Sequence, residues 1–306
     1  MSCLLGRCAQ ATLSKKALLH NLSVIRGQAP HAKVVAMIKA NGYGHGIRQV
    51  ALRLDGHCDY FGVVSIEEAL VVSGLEVKTP ILLIEGPTTR EELDECLRRR
   101  FAFVLHREEQ LVWLEESRSL DAEVWVMLDT GMGHLGFSFE EHVRVLGRLQ
   151  RARCAKNIVL MSHFACAEAL EHESNLLQIR RFQSVVDAWK LPASFCNTAG
   201  VFHFPKQHYD IIRPGIGLYG AVRSLDHRLV PVMTLRSHVI AVRVLKEGQS
   251  IGYGGIYQCM RETRVAVVAM GYGDGYPLNH FDGLPVSIHG NRCCTLGKVA
   301  MDRLVV

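Results

Sequence analysis

No CxxC pair, no apolar run of membrane-spanning length and no basic run interleaved with aromatics occurs in the 306 residues of this chain. Each absence removes a class of protein. The ten cysteines are scattered, so a structural zinc site has no framework. Their one close pair, Cys293 and Cys294, points to opposite faces if it lies in a strand. So many thiols in a long chain fit a reducing cytosol better than a disulfide scaffold. The opening MSCLLGRCAQ is too short and too weakly apolar for a secretory leader, and no segment reaches the length of a membrane span. A soluble, cytoplasmic chain without a membrane partner is expected. The net charge is +5, from 35 basic and 30 acidic residues. The basic cluster Arg98, Arg99 and Arg100 reads as a helix end before a strand, so no nucleic-acid partner is expected. Internal repeats and low-complexity tracts are also missing.

What is present suffices for a full core: 48% of the residues are hydrophobic and 21% are charged. The length suits a barrel plus a smaller unit. From residue 33 to about 213, short β-branched runs alternate with helical patterns. They predict strands at 33–38, 59–64, 80–84, 102–105, 122–128, 157–162, 193–196 and 209–213. Helices are predicted near 45–55, 66–74, 89–100, 107–117, 139–152 and 172–190. Ser14 caps an earlier helix with Leu18, Leu19, Leu22 and Ile25 on one face. Eight strands in strict alternation with helices predict a closed parallel (β/α)8 barrel of the TIM type, in the α/β class. Continuous apolar runs are what strands buried on both faces require.

After about Leu229 the pattern changes. VMTLRSHVIAVRVLKEG, RVAVVAMGYG and LPVSIHG read as strands joined by glycine turns, without helical periodicity. The expected division is a barrel over 14–229 and a C-terminal all-β domain made of 230–306 with 1–13, because the early run 9–13 would be a ninth strand in the barrel. The chain stops at MDRLVV inside an apolar run, so the β domain is expected to be incomplete at its end.

Barrel active sites sit at strand C-terminal ends, and polar residues gather there in this chain. In VVAMIKANGYGHG, Lys39 ends the first predicted strand and a glycine-dense turn follows. A lysine whose stem packs on a strand end and whose amine faces a cleft is partly desolvated. That favours the neutral nucleophile a Schiff base needs. Tyr43, in the same turn, could contact a phosphate. Asp129-Thr-Gly-Met-Gly-His134 follows the fifth strand and His163 ends the sixth. Asn197-Thr198-Ala199-Gly200 follows the seventh and Arg213-Pro-Gly-Ile216 the eighth. Barrels commonly hold phosphate at the last two loops, which suits Asn197, Thr198, Gly215 and Ile216. Arg213 could lie under a phosphate-bearing ring, and His163 could stack on it. Each has an ordinary explanation when taken singly: a buried histidine, a turn asparagine, a helix-end arginine. Five on one rim are harder to dismiss. Gly252-Tyr253-Gly254 and Gly271-Tyr272-Gly273 read as hairpin turns with a packing aromatic, or as tyrosine acid–base groups where a cation lies near.

The segments IKANGYGHG, LDTGMGHLGF, SHFACAE, NTAG, RPGIGLYG, IGYGGIY, MGYGDGYP and GKVAMD, in this order, resemble the alanine racemase family over nearly the whole chain. The resemblance implies a pyridoxal-phosphate enzyme with no metal, a homodimer with shared sites, making D-alanine for cell-wall peptidoglycan. It implies that Lys39 carries the cofactor and is one of two catalytic bases. Tyr43, Asn197, Thr198, Gly215 and Ile216 would surround the phosphate, with His163 near the ring and Arg213 against its nitrogen. The partner's Tyr253 would be the second base, and the partner's Tyr272 and the partner's Met301 would line the substrate entrance or carboxylate pocket. A base on each face of the α-carbon lets one remove the proton and the other return it with inverted configuration.

Departures from the family pattern cluster. Met37 stands where valine is usual. His134 stands where the family usually has an arginine, bonded to the cofactor's phenolic oxygen and helping to hold the substrate carboxylate. Met127 stands where many members have a lysine, often carbamylated, that orients this arginine. The last two replacements fit together, since an orienting anion is unnecessary without the arginine. His134 is then expected to donate to the phenolic oxygen and to bind carboxylate more weakly. The family also continues beyond GKVAMD with strands that include another phosphate-binding tyrosine. Two other readings stand beside this one. A racemase of serine or of broader specificity would follow from the altered His134. A non-catalytic carrier of the cofactor, of the single-barrel type, would lack the β domain and Tyr253. Decarboxylases of the same barrel-plus-β plan are disfavoured by an arginine, rather than a carboxylate, for the ring nitrogen.

Overall fold

The computed structural model describes residues 8–222, 226, 228–278 and 283–306. The first seven residues of the opening segment, with Cys3, lie outside these. The chain divides into two units, Ser14–Val232 and the remainder, and each is taken by itself.

In the larger unit eight strands run parallel: Lys33–Met37, Tyr60–Val63, Ile81–Leu83, Ala102–Leu105, Ala122–Asp129, Ala155–Met161, Ala193–Ser194 and Ile211–Ile212. Each pairs with the next. The eighth returns to the first, Ile211 opposite Lys33 and Ile212 opposite Val34, so the sheet closes into the TIM-type barrel the alternation predicts. Closure explains the apolar runs. Val35, Met37, Trp125, Met127, Val159 and Met161 pack together inside. Val34 and Ala36, on the other face of the first strand, are just as inaccessible. Gly62 lies opposite Met37, and a Cβ there would overlap the Met37 sulfur, so the flexible thioether fills space left by the missing side chain.

The helix Lys15–Gln28 starts where the Ser14 hydroxyl accepts the Ala17 N–H at 3.1 Å, and it buries Leu18, Leu22 and Ile25. Helices Ile47–Leu54, Ile66–Ser73, Arg90–Arg99, Glu108–Ser117, His142–Ala152 and Glu173–Trp189 follow the predicted spacing. Arg98 and Arg99 close the last turn of their helix, where cations complement its dipole, and Arg100 takes the left-handed position before the next strand. The seventh and eighth strands are shorter than their apolar runs. Only Ile211 and Ser194 pair between them, and past that point the backbone turns away to build the mouth. There it forms a short helix, Thr198–His203, and a 3-10 turn, Ile216–Tyr219, neither of which the periodicity reveals.

The smaller unit is antiparallel. Gln10–Leu13 pairs with Met233–Arg236. Thr263–Val268 lies between Val239–Leu245 and Leu304–Val305. Two hairpins join Ser250–Ile251 to Tyr257–Gln258 and Pro285–Ile288 to Asn291–Cys294. Among its described residues there is no α-helix. Its principal core is small: Val268, Met270, Val299, Leu304 and Val306. The nine described cysteines of the chain are free thiols, and no helix among the described residues is long and apolar enough to cross a membrane.

Candidate active site

A cavity of about 340 Å³ lies at the C-terminal ends of the barrel strands, with Met37, Met127 and Met161 from the barrel interior among its lining residues. Lys39, Tyr43, His134, His163, Asn197, Thr198, Arg213, Gly215 and Ile216 all line it. Tyr253, Tyr272 and Met301 do not; they belong to the β unit, where they are 71%, 39% and 55% exposed.

Lys39 opens a turn of unusual hand. Ala40, Asn41, Gly42 and Tyr43 all have φ between 51° and 64°, so the chain winds one left-handed helical turn. Each non-glycine residue in that conformation costs about 1–2 kcal/mol, so the turn persists only where its surroundings over-determine it. Those surroundings are specific. Gly42 N–H donates to the Ile38 carbonyl at 2.8 Å and Gly46 N–H to the Asn41 carbonyl at 2.8 Å. The Asn41 side chain accepts the Ile47 N–H at 2.9 Å, starting the next helix. A Cβ on Gly42 would press on Val50 at 3.1 Å, which is why glycine stands there. The Tyr43 ring stacks on Tyr219 at 5.0 Å, and the Tyr219 hydroxyl donates to the Met37 carbonyl at 3.1 Å. Burial raises the Tyr43 pKa, so its phenol remains a donor at neutral pH.

Opposite this turn, Arg213 is 3% exposed. Its guanidinium donates to the Ser194 hydroxyl at 2.6 Å, the Ser162 carbonyl at 2.6 Å and His163 Nδ1 at 3.1 Å. Burial lowers its pKa to about 10, which leaves it charged at neutral pH. His163 is driven the same way to about 3, first by burial and then by the charges of Arg213, Lys39 and His134. It is therefore neutral. With Nδ1 accepting from Arg213, its proton sits on Nε2.

The eighth-strand loop passes close to Tyr43. A Cβ on Gly215 would overlap the Tyr43 hydroxyl and lie 2.8 Å from its ring, so only glycine leaves that hydroxyl in place. Thr198 Oγ1 accepts N–H groups from Gly215 at 3.0 Å and Gly217 at 3.2 Å. Two accepted bonds occupy its lone pairs and leave its own proton to donate. Asn197 caps the short helix by accepting the Gly200 N–H at 2.9 Å. Its oxygen is thus committed to the fold.

His134 sits on an exposed loop. Asp129 holds that loop by accepting N–H groups from Gly131 at 2.9 Å, Met132 at 2.8 Å and Gly133 at 3.0 Å. Burial works against the Asp129 carboxylate, but these three N–H groups and Arg181 outweigh it and hold its pKa low. Gln178 ties this loop to the sixth: its amide donates to the His163 carbonyl at 2.8 Å and to Thr130 Oγ1 at 3.3 Å.

Sequence reasoning missed several lining or supporting residues. Glu85 and His106 line the cavity directly after the third and fourth strands, the same criterion that picks out Lys39. Burial lowers the His106 pKa. Asn175 and Gln178 share the buried stripe of their helix with Phe182 and Val185, and a polar pair at i, i+3 on an apolar face was the available signal.

A lysine beside a protonated phenol, a free threonine proton, a glycine cradle and a buried guanidinium could hold a flat aldehyde with an anionic tail. The cradle at Gly215, which a Cβ would fill, is the fit that a phosphate requires. Fold and site together define a barrel with a lysine at a mouth that could hold an aldehyde cofactor.

Comparison makes the class narrower. A model of the alanine racemase N-terminal domain matches residues 13–223, and one of the alanine racemase C-terminal domain matches residues 232–306. The alanine racemase of Vibrio parahaemolyticus is 41% identical, over 98% of this chain and 86% of that protein. That of Legionella pneumophila is 39% identical, over 99% and 87%. The structure of alanine racemase from Acinetobacter baumannii has a TM-score of 0.92 at 34% identity, covering 98% of this chain and 86% of that one. Alanine racemase from Bartonella henselae, with covalently bound pyridoxal phosphate, has a TM-score of 0.85 at 26% identity over the same shares. This chain belongs to the alanine racemase family.

Proposed function

We propose that this enzyme interconverts L- and D-alanine with pyridoxal phosphate, using Lys39 and Tyr253 as its two bases. The observation that carries the reading is the convergence of Lys39, Arg213, His163 and Thr198 on one cavity, in a chain that matches the family from end to end. When bound, pyridoxal phosphate supplies the aldehyde that captures the amino acid and the electron withdrawal that acidifies its α-proton.

The rest is done by the chain. Lys39 holds the cofactor and moves a proton at one face of the α-carbon. Thr198, Tyr43 and the backbone at Gly215 and Ile216 hold the phosphate, with Asn197 fixing the helix start beside them. Arg213, charged at neutral pH, would face the ring nitrogen as a donor and would keep it unprotonated, which would favour return of the proton over transamination. His163 packs near the ring as a neutral donor. His134 takes the phenolic oxygen and the substrate carboxylate. The partner's Tyr253 supplies the second base, with the partner's Tyr272 and the partner's Met301 at the carboxylate pocket. The exposure of all three on the β unit supports that sharing within a homodimer. We place the barrel at 14–229 and the β domain at 230–306 with 1–13, the enzyme in the cytoplasm, and its product in peptidoglycan synthesis.

His134 in place of arginine favours one second reading, a racemase of serine or of broader range. Comparing kcat/KM for alanine, serine and lysine separates the two. The direct test follows D-alanine formation from L-alanine with pyridoxal phosphate present. Wild type is expected to form product and Lys39→Ala none. A cofactor-loaded wild type that forms no D-alanine overturns the proposal.

A further inference from the structure

Glu68 does not line the cavity, yet it grips the loop that carries Lys39. It belongs to the helix Ile66–Ser73, which follows the second barrel strand. One carboxylate oxygen accepts the Asn41 N–H at 3.0 Å and the other the Val64 N–H at 3.1 Å. Asn41 lies within the left-handed turn, at a helix start where N–H groups lack a partner from the turn itself. The carbonyl four residues earlier, on Met37, accepts the Tyr219 hydroxyl. Asn41 is exposed, so water could serve its N–H, and Glu68 replaces that mobile partner with a fixed acceptor from another strand–helix unit.

The ordinary explanation of Glu68 is helix capping. The Ser65 hydroxyl does accept the Glu68 N–H, at 3.3 Å. In a capping box, however, the glutamate returns to the N–H of the cap residue itself. Here it passes Ser65, takes Val64 at the end of the second strand, and spends its other oxygen on the Lys39 loop. The carboxylate thus bolts the first mouth loop to the second strand.

We infer that Glu68 is a positioning residue that holds the left-handed turn, and with it the Lys39 amine and the Tyr43 hydroxyl, in binding geometry before the cofactor arrives. The inference rests on the reading that Lys39 and Tyr43 hold pyridoxal phosphate. The test compares Glu68→Ala with Ser65→Ala, which removes the helix cap and leaves both carboxylate contacts. Two quantities are measured: amide hydrogen exchange over residues 39–46 in the cofactor-free protein, and affinity for added pyridoxal phosphate.

Glu68→Ala is expected to speed exchange over 39–46 and to weaken cofactor binding severalfold, up to about tenfold, the scale of a charged hydrogen bond discounted for solvent. Ser65→Ala is expected to change neither. Wild-type exchange or wild-type affinity in Glu68→Ala overturns the inference, as does a Ser65→Ala variant that reproduces the effect. Should Glu68→Ala fail to fold, Glu68→Gln keeps one acceptor oxygen and is expected to give a smaller change of the same kind; wild-type behaviour there overturns the inference equally. Should wild type bind no pyridoxal phosphate, the cofactor reading falls, and exchange over 39–46 alone decides the bracing.

Discussion

The loops after the first and fifth barrel strands have comparable sequences, KANGYGHG and TGMGHLG, and the fold treats them in opposite ways. The first is braced from several sides: Glu68 on its backbone, Tyr219 under the Tyr43 ring and Val50 against Gly42. The second stands in solvent from Gly131 to His134 and hangs chiefly on the Asp129 carboxylate. The braced loop carries Lys39, the amine on which the proposed chemistry depends. The open loop carries His134, where the resemblance leads one to expect an arginine. On the proposed function, the side chain that must meet a reacting atom is held by over-determined backbone, whereas the one that tunes substrate fit can change without disturbing a neighbour.

The contrast breaks most sharply if the braced side is loosened. Gly215→Ala drives a Cβ into the Tyr43 hydroxyl, and the phenol must swing away. Overpacking of this kind costs about 1–3 kcal/mol of stability, so Tm is expected to fall by several degrees, and pyridoxal phosphate affinity to fall about tenfold or more because the phenol leaves the cradle. Titration of cofactor absorbance and a thermal melt measure the two. Unchanged affinity would mean that the Tyr43 hydroxyl does not hold the phosphate.

A second effect, on stability, is expected from acid. His163, whose carbonyl shares Gln178 with the open loop, has its pKa lowered from 6.5 to about 3. Between those values the unfolded chain binds a proton that the folded chain refuses, so stability rises with pH across the window. The contribution is complete above the unfolded value and is lost as pH falls toward 3. The slope for one proton is about 1.4 kcal/mol per pH unit. Urea midpoints of the cofactor-free protein between pH 4 and 6.5 read it. His163→Asn is expected to flatten the profile, and equal slopes in both proteins would reject the account.

The two loops also mark how far sequence could be read. β-branched runs between helical patterns were enough to give a closed barrel, because strands buried on both faces have no polar side to disguise them. The rim residues Lys39, His163, Thr198 and Arg213 followed from strand ends alone. The left-handed turn did not. Asn41, Gly42 and Gly44 allow it, but Ala40 and Tyr43 oppose it locally, and contacts from Glu68 and Tyr219, distant in sequence, add to the local bonds that hold it. The predicted helix start at 45 slipped to Ile47 for the same reason, since Gly46 at φ 88° is still outside the helix. Gln178 was hidden differently: a buried polar side chain on an apolar stripe has its purpose in loops that join only in three dimensions.

The mildest perturbation sharpens the comparison from the open side. His134→Arg restores the family's usual residue on a loop whose backbone is fixed by Asp129, not by the side chain at 134. Met127 remains buried in the barrel interior and offers the new guanidinium no anion to orient it. The expected gain is therefore limited to charge on the substrate carboxylate, worth less than a fully placed bidentate pair. KM for alanine should fall severalfold, up to about tenfold, while cofactor affinity should change less, because the new guanidinium replaces His134 at the phenolic oxygen and the braced loop and the Gly215 cradle are untouched. Steady-state kinetics with each enantiomer, beside a cofactor titration, separates the two quantities. An unchanged KM would show that His134 has no part in holding the carboxylate, and a cofactor affinity that moves more than KM would show that the two loops are not independent.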